Sequence, residues 1–186
     1  MSSIMPVFND FPEEGMIIGR LLAGYGELEF DLCMCVAMAY GDFDKVLKAM
    51  FLFRGESKRI TEGSNIGEPI FERFGLGQMF RSAIADMHQC RKIRNQFAHC
   101  NWHDDYSGKI SFVVLEEIAK NSEPAELSNL SMRHIDTVLL AEQEAYFKYV
   151  SRCLTYLNFE GQKLTGKIHS HPWTIPEKQQ RPQLHL

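Results

Sequence analysis

Uninterrupted apolar runs are missing from this chain. Glu27, Glu29 and Asp31 break its richest stretch, so no segment reaches the ~18 apolar residues that a membrane span needs. The first residues, Met-Ser-Ser-Ile-Met-Pro, lack the charged and apolar regions of a secretion signal, which points to a cytoplasmic protein with no membrane partner. Cysteine is scarce and odd in number, at positions 33, 35, 90, 100 and 153, which favours reduced thiols over a disulfide framework. Cys33-x-Cys35 is neither a redox nor a zinc spacing. There is no phosphate-cradling glycine loop, no GxSxG elbow and no dinucleotide-binding fingerprint, and Gly75-Leu-Gly77 reads as a helix break only. An excess of positive charge is also lacking. A net charge of −4 and a pI near 6.0 argue against a protein that coats nucleic acid nonspecifically.

What is present is the composition of an ordinary globular protein. With 186 residues, 45% hydrophobic and 24% charged, the chain can bury a full core without disulfides or metals. Residues 1–12 read as a flexible arm, 13–165 as a single domain, and 166–186, which contain three prolines, as a flexible tail. A first helix over 16–40 carries the stripe Ile18, Leu21, Leu22, Tyr25, Leu28, Leu32, Val36 and Ala39. Asp42 can cap a second helix bearing Phe43, Val46, Leu47, Met50 and Phe51, ended by Gly55. The polar stretch 56–67 reads as a loop, 69–74 as a short helix, and 78–100 as a long one. Alternation at Ile110, Phe112 and Val114 after the turn signal Ser107-Gly108 predicts a hairpin of 101–104 against 109–115. Glu123-Pro124 marks a linker. Ser131 can cap a last helix with the stripe Ile135, Val138, Leu139, Tyr146, Tyr149, Cys153 and Leu157. The expected fold is therefore mainly α: an up-and-down bundle of four to five helices with a small β-hairpin inserted before the last long helix.

Charge within these stripes points to chemistry. On a helix over 80–99, Phe80, Ala83, Ile84, Met87, Cys90, Phe97 and Ala98 share one face, with Arg94 close to its middle. His88, Arg91, Asn95 and His99 form a polar strip beside it. A guanidinium aimed into a core costs several kcal/mol unless it is paired and hydrogen-bonded. Glu29 is the matching inward charge on the first helix, whereas Glu27 and Asp31 project to the other side, so Glu29 and Arg94 are expected to approach each other. A basic cluster of His88, Arg91, Lys92, Arg94 and His99 on an acidic chain suits a small phosphate-bearing target; it also suits a solvated helix face. His99 and His103 have the i, i+4 spacing of a helical metal pair, but Asn101-Trp102 is expected to leave the helix and destroy it. His169-x-His171 falls in the tail, and no metal or cofactor is expected.

Arg94, four intervening residues and His99, with Asn95 directly after the arginine, resemble the R-x(4–6)-H signature of the HEPN superfamily. The Arg-Asn-x-x-Ala-His form followed by Trp102 looks like its mannitol-repressor-like and abortive-infection-type branch. The specific match covers six residues, and the helical layout is similar over roughly 13–160. That resemblance implies a metal-independent endoribonuclease acting as a homodimer, with motif helices facing across a shared cleft, in a toxin or phage-defence setting with an antitoxin or regulatory protein as partner. In it, His99 would serve as general base or acid on the ribose 2′-hydroxyl or the leaving 5′-oxygen, since an ordinary imidazole titrates near neutrality. Arg94 would bind the scissile phosphate of the RNA, Asn95 would orient His99 or bond the phosphate, and Glu29 would fix Arg94. His88 and Arg91 would support them. The products would be a 2′,3′-cyclic phosphate and a 5′-hydroxyl. The same superfamily implies an alternative, a non-catalytic regulator that binds protein, nucleotide or nucleic acid.

Overall fold

The computed structural model describes residues 4–52, 54–120 and 130–186. Among them the order is α1 (Val7–Asp10), α2 (Pro12–Tyr40), α3 (Phe43–Phe51), α4 (Glu56–Arg73), α5 (Gly77–Ala98), β1 (Asn101–Asp104), β2 (Ile110–Val113), α6 (Leu115–Lys120), β3 (Arg133–Ile135) and α7 (Thr137–Leu164). The fold is mainly α, as periodicity predicts. The chain divides into two compact units. The first comprises the described parts of Met1–Ala23, Lys92–Ala145 and Pro182–Leu186, and the second comprises those of Gly24–Arg91 and Tyr146–Arg181.

The second unit is held by closely packed helices. Tyr25, Leu28, Leu32 and Val36 of α2 are buried, and so are Val46 and Met50 of α3. Asp42 caps α3 as expected, its Oδ1 accepting from the backbone N–H of Lys45 at 3.0 Å. The predicted loop over 56–67 is instead helical, and α4 runs unbroken through Pro69 to Arg73. Its buried stripe explains the difference: Ile60, Gly63, Gly67, Ile70 and Phe71 repeat at helical spacing, but two of the five are glycines and carry no hydrophobic signal. Those glycines are where neighbours come closest. A Cβ on Gly63 would stand 2.9 Å from Leu32 Cδ2, and one on Gly67 would stand 2.5 Å from Phe80 Cζ and 3.0 Å from Val36 Cγ2. Phe71 stacks on Phe80 with ring centroids 4.6 Å apart. Asp31, expected to face away from the core, is half-buried and accepts from Ser151 Oγ at 2.7 Å.

The first unit is organised around a three-stranded antiparallel sheet of order β1-β2-β3. The predicted hairpin is present, pairing Asn101 with Val113 and Asp104 with Ile110. The third strand differs from expectation. Arg133–Ile135 pairs Ile135 with Ile110 and Arg133 with Phe112, so these residues are strand and not helix. Ser131 therefore caps nothing; Asp136 does, its Oδ1 accepting from Leu139 N–H at 2.9 Å, and Val138 is exposed. The whole of β2 is buried, Ser111 included, whose hydroxyl donates to the His103 carbonyl at 3.0 Å. The expected linker at Glu123-Pro124 lies outside the described residues. At the hairpin turn, the Ser107 backbone N–H and the His134 ring bond Asp105 at 3.1 and 2.7 Å. The Ser107 hydroxyl first and the His134 ring next hold its carboxyl at about 2, below the usual carboxylate range.

Described residues near both ends make specific contacts. In the first unit, the Phe8 ring of α1 lies over Gly15, where a Cβ would come within 2.9 Å of it, and that missing Cβ seats the short helix. In the second unit, Lys167 Nζ donates to the Met38 carbonyl at 2.6 Å, His171 pairs with Glu160 at 2.7 Å, Trp173 stacks on Phe159 at 5.9 Å, and Arg181 donates twice to Asp86 Oδ1 at 3.0 and 2.8 Å. Composition hid this because each anchor is a single polar or aromatic group.

Glycine packing in α4 gives a direct test by urea unfolding. Gly67→Ala overpacks Phe80 and Val36 and is expected to cost about 1–3 kcal/mol. Gly19→Ala, on a helical residue with nothing within 4 Å of its Cβ position, is expected to gain about 0.5–1 kcal/mol.

Candidate functional site at the end of α5

Within the first unit, residues 92–98 bury Ile93, Gln96 and Phe97, while Arg94 and Asn95 are half-buried and Lys92 and Ala98 are exposed. Arg94 thus sits at the margin of the buried face and not at its middle. The helical-wheel reading counted Ala98 and passed over Gln96, which is polar yet only 9% exposed. Its side-chain Nε2 donates to the Leu184 carbonyl at 2.6 Å, which offsets part of the cost of burying the amide, while its Oε1 is buried without a partner among the described residues. Arg94 Nη1 donates to Asn95 Oδ1 at 3.2 Å, so the arginine and its neighbour are brought together.

The helix ends at Ala98, two residues before the predicted limit, and His99 is exposed just beyond it. The Cys100 thiol donates to the Phe97 carbonyl at 3.5 Å, satisfying one of the carbonyls that a helix end leaves open. Burial pushes that thiol up to about 12. Asn101 opens β1, so His103 lies on a strand, and the i, i+4 helical geometry with His99 does not form. Among the described residues no group of three or more His, Cys, Asp or Glu side chains could hold a metal ion.

An aromatic cluster sets the direction of this exit. Trp102 packs on Phe8, Phe97 and Phe112 with ring centroids 5.5, 5.7 and 5.2 Å apart, and Phe97 meets Phe112 edge-on at 6.3 Å. Such pairs contribute about 0.5–1.5 kcal/mol each beyond the area they bury. The cluster joins the last turn of α5 to β1, β2 and the short helix α1. The sequence signal for it was Trp102 itself, noted next to the motif without a structural role.

The remaining candidates belong to the second unit. Glu29 is 4% exposed, and its Oε2 accepts from Arg59 Nη1 at 2.8 Å. Sequence reasoning missed Arg59 because it lay in the stretch read as loop. Arg59 also lies over the Phe51 ring, 5.1 Å from its centroid. Tyr25, one turn before Glu29, is 2% exposed; burial first and the Glu29 charge next push its phenol up, while Arg91 opposes them. His88 and Arg91 are half-buried on α5. A cleft of about 390 Å³ in this unit, lined among others by Leu76, Met79, Tyr149 and Cys153, contains none of the predicted site residues.

No family model, no curated protein and no solved structure matches this chain. No helix among the described residues is long and apolar enough to cross a membrane. The chemistry available at the end of α5 is that of an exposed imidazole at His99 and, five residues earlier, a guanidinium at Arg94 bonded by the adjacent Asn95 amide. A guanidinium fork matches phosphate oxygens in pairs, and an imidazole moves protons.

Trp102→Ala removes the ring that links three elements and is expected to cost about 2–4 kcal/mol in denaturant unfolding. Trp102→Phe keeps most of the contact and is expected to cost less than half as much.

Proposed function

We propose that this chain is a metal-independent endoribonuclease of HEPN type, working as a cytoplasmic homodimer of toxin or phage-defence character. The observation that carries this reading is the exposure of His99 directly after the turn that bears the bonded pair Arg94 and Asn95. In the reaction, His99 takes the proton from the ribose 2′-hydroxyl or delivers one to the leaving 5′-oxygen. Attack of the 2′-oxygen on phosphorus displaces the 5′-oxygen and leaves a 2′,3′-cyclic phosphate and a 5′-hydroxyl. Arg94 holds the phosphate and offsets the charge that builds on its oxygens during attack. Asn95 keeps the guanidinium fork turned toward that charge. Arg91 adds positive charge along the helix that carries it, and His88 supplies a further imidazole there.

The acidic net charge of −4 supports a second reading, a non-catalytic HEPN-like module that binds protein, nucleotide or nucleic acid. Incubation of the full chain with bulk cellular RNA in EDTA, followed by end-group analysis, separates the two. Cuts ending in 2′,3′-cyclic phosphate are expected. His99→Ala should lower their rate by about 10²–10⁴ and Arg94→Ala by about 10²–10³, with the fold unchanged by circular dichroism. RNA left intact by the folded wild-type dimer would favour the regulatory module.

A further inference from the structure

One segment of the first unit is held as a ligand is held. Residues Pro182–Leu186 have no helix or strand of their own and bend at Leu184, and three separate elements bond their backbone. Gln143 of α7, 0% exposed, donates its side-chain amide to the carbonyls of Gln183 at 2.8 Å and Leu184 at 3.1 Å. Gln96 of α5 donates to the same Leu184 carbonyl at 2.6 Å. The Leu186 N–H donates to the His134 carbonyl at 2.9 Å. His134 lies in β3, an edge strand of the sheet, so this last bond is the start of a strand addition. Pro182 is buried, and the His185 ring meets Phe112 edge-on at 6.4 Å.

These contacts read main chain. A buried glutamine aimed at two successive carbonyls holds the backbone there whatever the side chains, and side-chain pockets then select among sequences. We infer that Gln143, Gln96 and the β3 edge form a peptide-recognition groove whose resident ligand is the chain's own Pro182–Leu186. A partner polypeptide with a Pro-x-Leu-x-Leu stretch displaces that segment and takes its bonds. The inference concerns binding alone and stands apart from the nuclease reading. Tethering gives the resident segment an effective concentration near the millimolar range, so a free peptide competes poorly until the segment is expelled.

The test uses the full chain and a fluorescein-labelled peptide of residues 181–186, Arg-Pro-Gln-Leu-His-Leu, read by anisotropy. Pro182→Asp combined with Leu184→Asp sets carboxylates at a buried and a half-buried position and expels the segment. This variant is expected to bind the peptide at least about tenfold more tightly than wild type. Adding Gln143→Met should return binding to the wild-type level, and a scrambled peptide should not bind. A folded variant with no gain in affinity would overturn the proposal. If the double variant fails to fold, amide exchange in wild type decides. A displaceable segment exchanges its Leu186 amide at least about tenfold faster than the core amides of α7. Exchange at the same rate as that core would mean release only by global unfolding and would overturn the proposal.

Discussion

The packing of Trp102 between Phe8, Phe97 and Phe112 is the constraint on which the proposed site depends. It requires the chain to pass from α5 to β1 in two residues, His99 and Cys100, with no room for a longer turn. A helix that stops there leaves carbonyls without intrahelical partners, and the Cys100 thiol takes one of them. The guanidinium of Arg94 is thereby carried on helical backbone, where its position is rigid, and the imidazole of His99 on the exit, where it reaches solvent. If the tryptophan shifted, the two groups would no longer be set by the same scaffold.

Buried polar side chains account for much of what is specific in each unit. A buried polar group left unsatisfied costs about 1–3 kcal/mol. Backbone carbonyls meet the Nε2 of Gln96 and of Gln143, while the Oε1 of each is buried without a partner among the described residues. Their common target, the Leu184 carbonyl, ties the last turn of α5 and the start of α7 to one segment. In the second unit, Glu29 and Arg59 play an equivalent part between α2 and α4. Breaking a buried pair leaves a charge in a poor solvent, so such pairs fix which helix faces which even where they add little net stability.

The elements that could be read from the sequence were those marked by local chemistry. Asp42 before a periodic apolar run announced α3, and Ser107-Gly108 between alternating residues announced the hairpin, because both signals act within a few residues. The elements that escaped were set by packing at a distance. Helix α4 was hidden because Gly63 and Gly67 occupy its core stripe, and a glycine seat is recognisable only once Leu32 and Phe80 are known to fill it. Strand β3 was hidden because three residues next to a helix start carry no period, and pairing with β2 decided their state. At the end of α5 the setting of Arg94 was not legible. Gln96 displaced the buried face toward itself through a bond to a carbonyl 88 residues away, and no wheel drawn on one helix contains that contact.

The most direct test is to observe His99 while a substrate mimic binds. Long-range ¹H–¹⁵N spectra of the full chain, with the His99 ring assigned by His99→Gln, would be titrated with a dinucleotide lacking the 2′-hydroxyl that attacks. The expected result is a saturable shift of the His99 ring resonances that disappears in Arg94→Ala. Ring resonances that stay fixed throughout the titration, in a chain that retains its helical signal, would contradict a phosphate site at the end of α5.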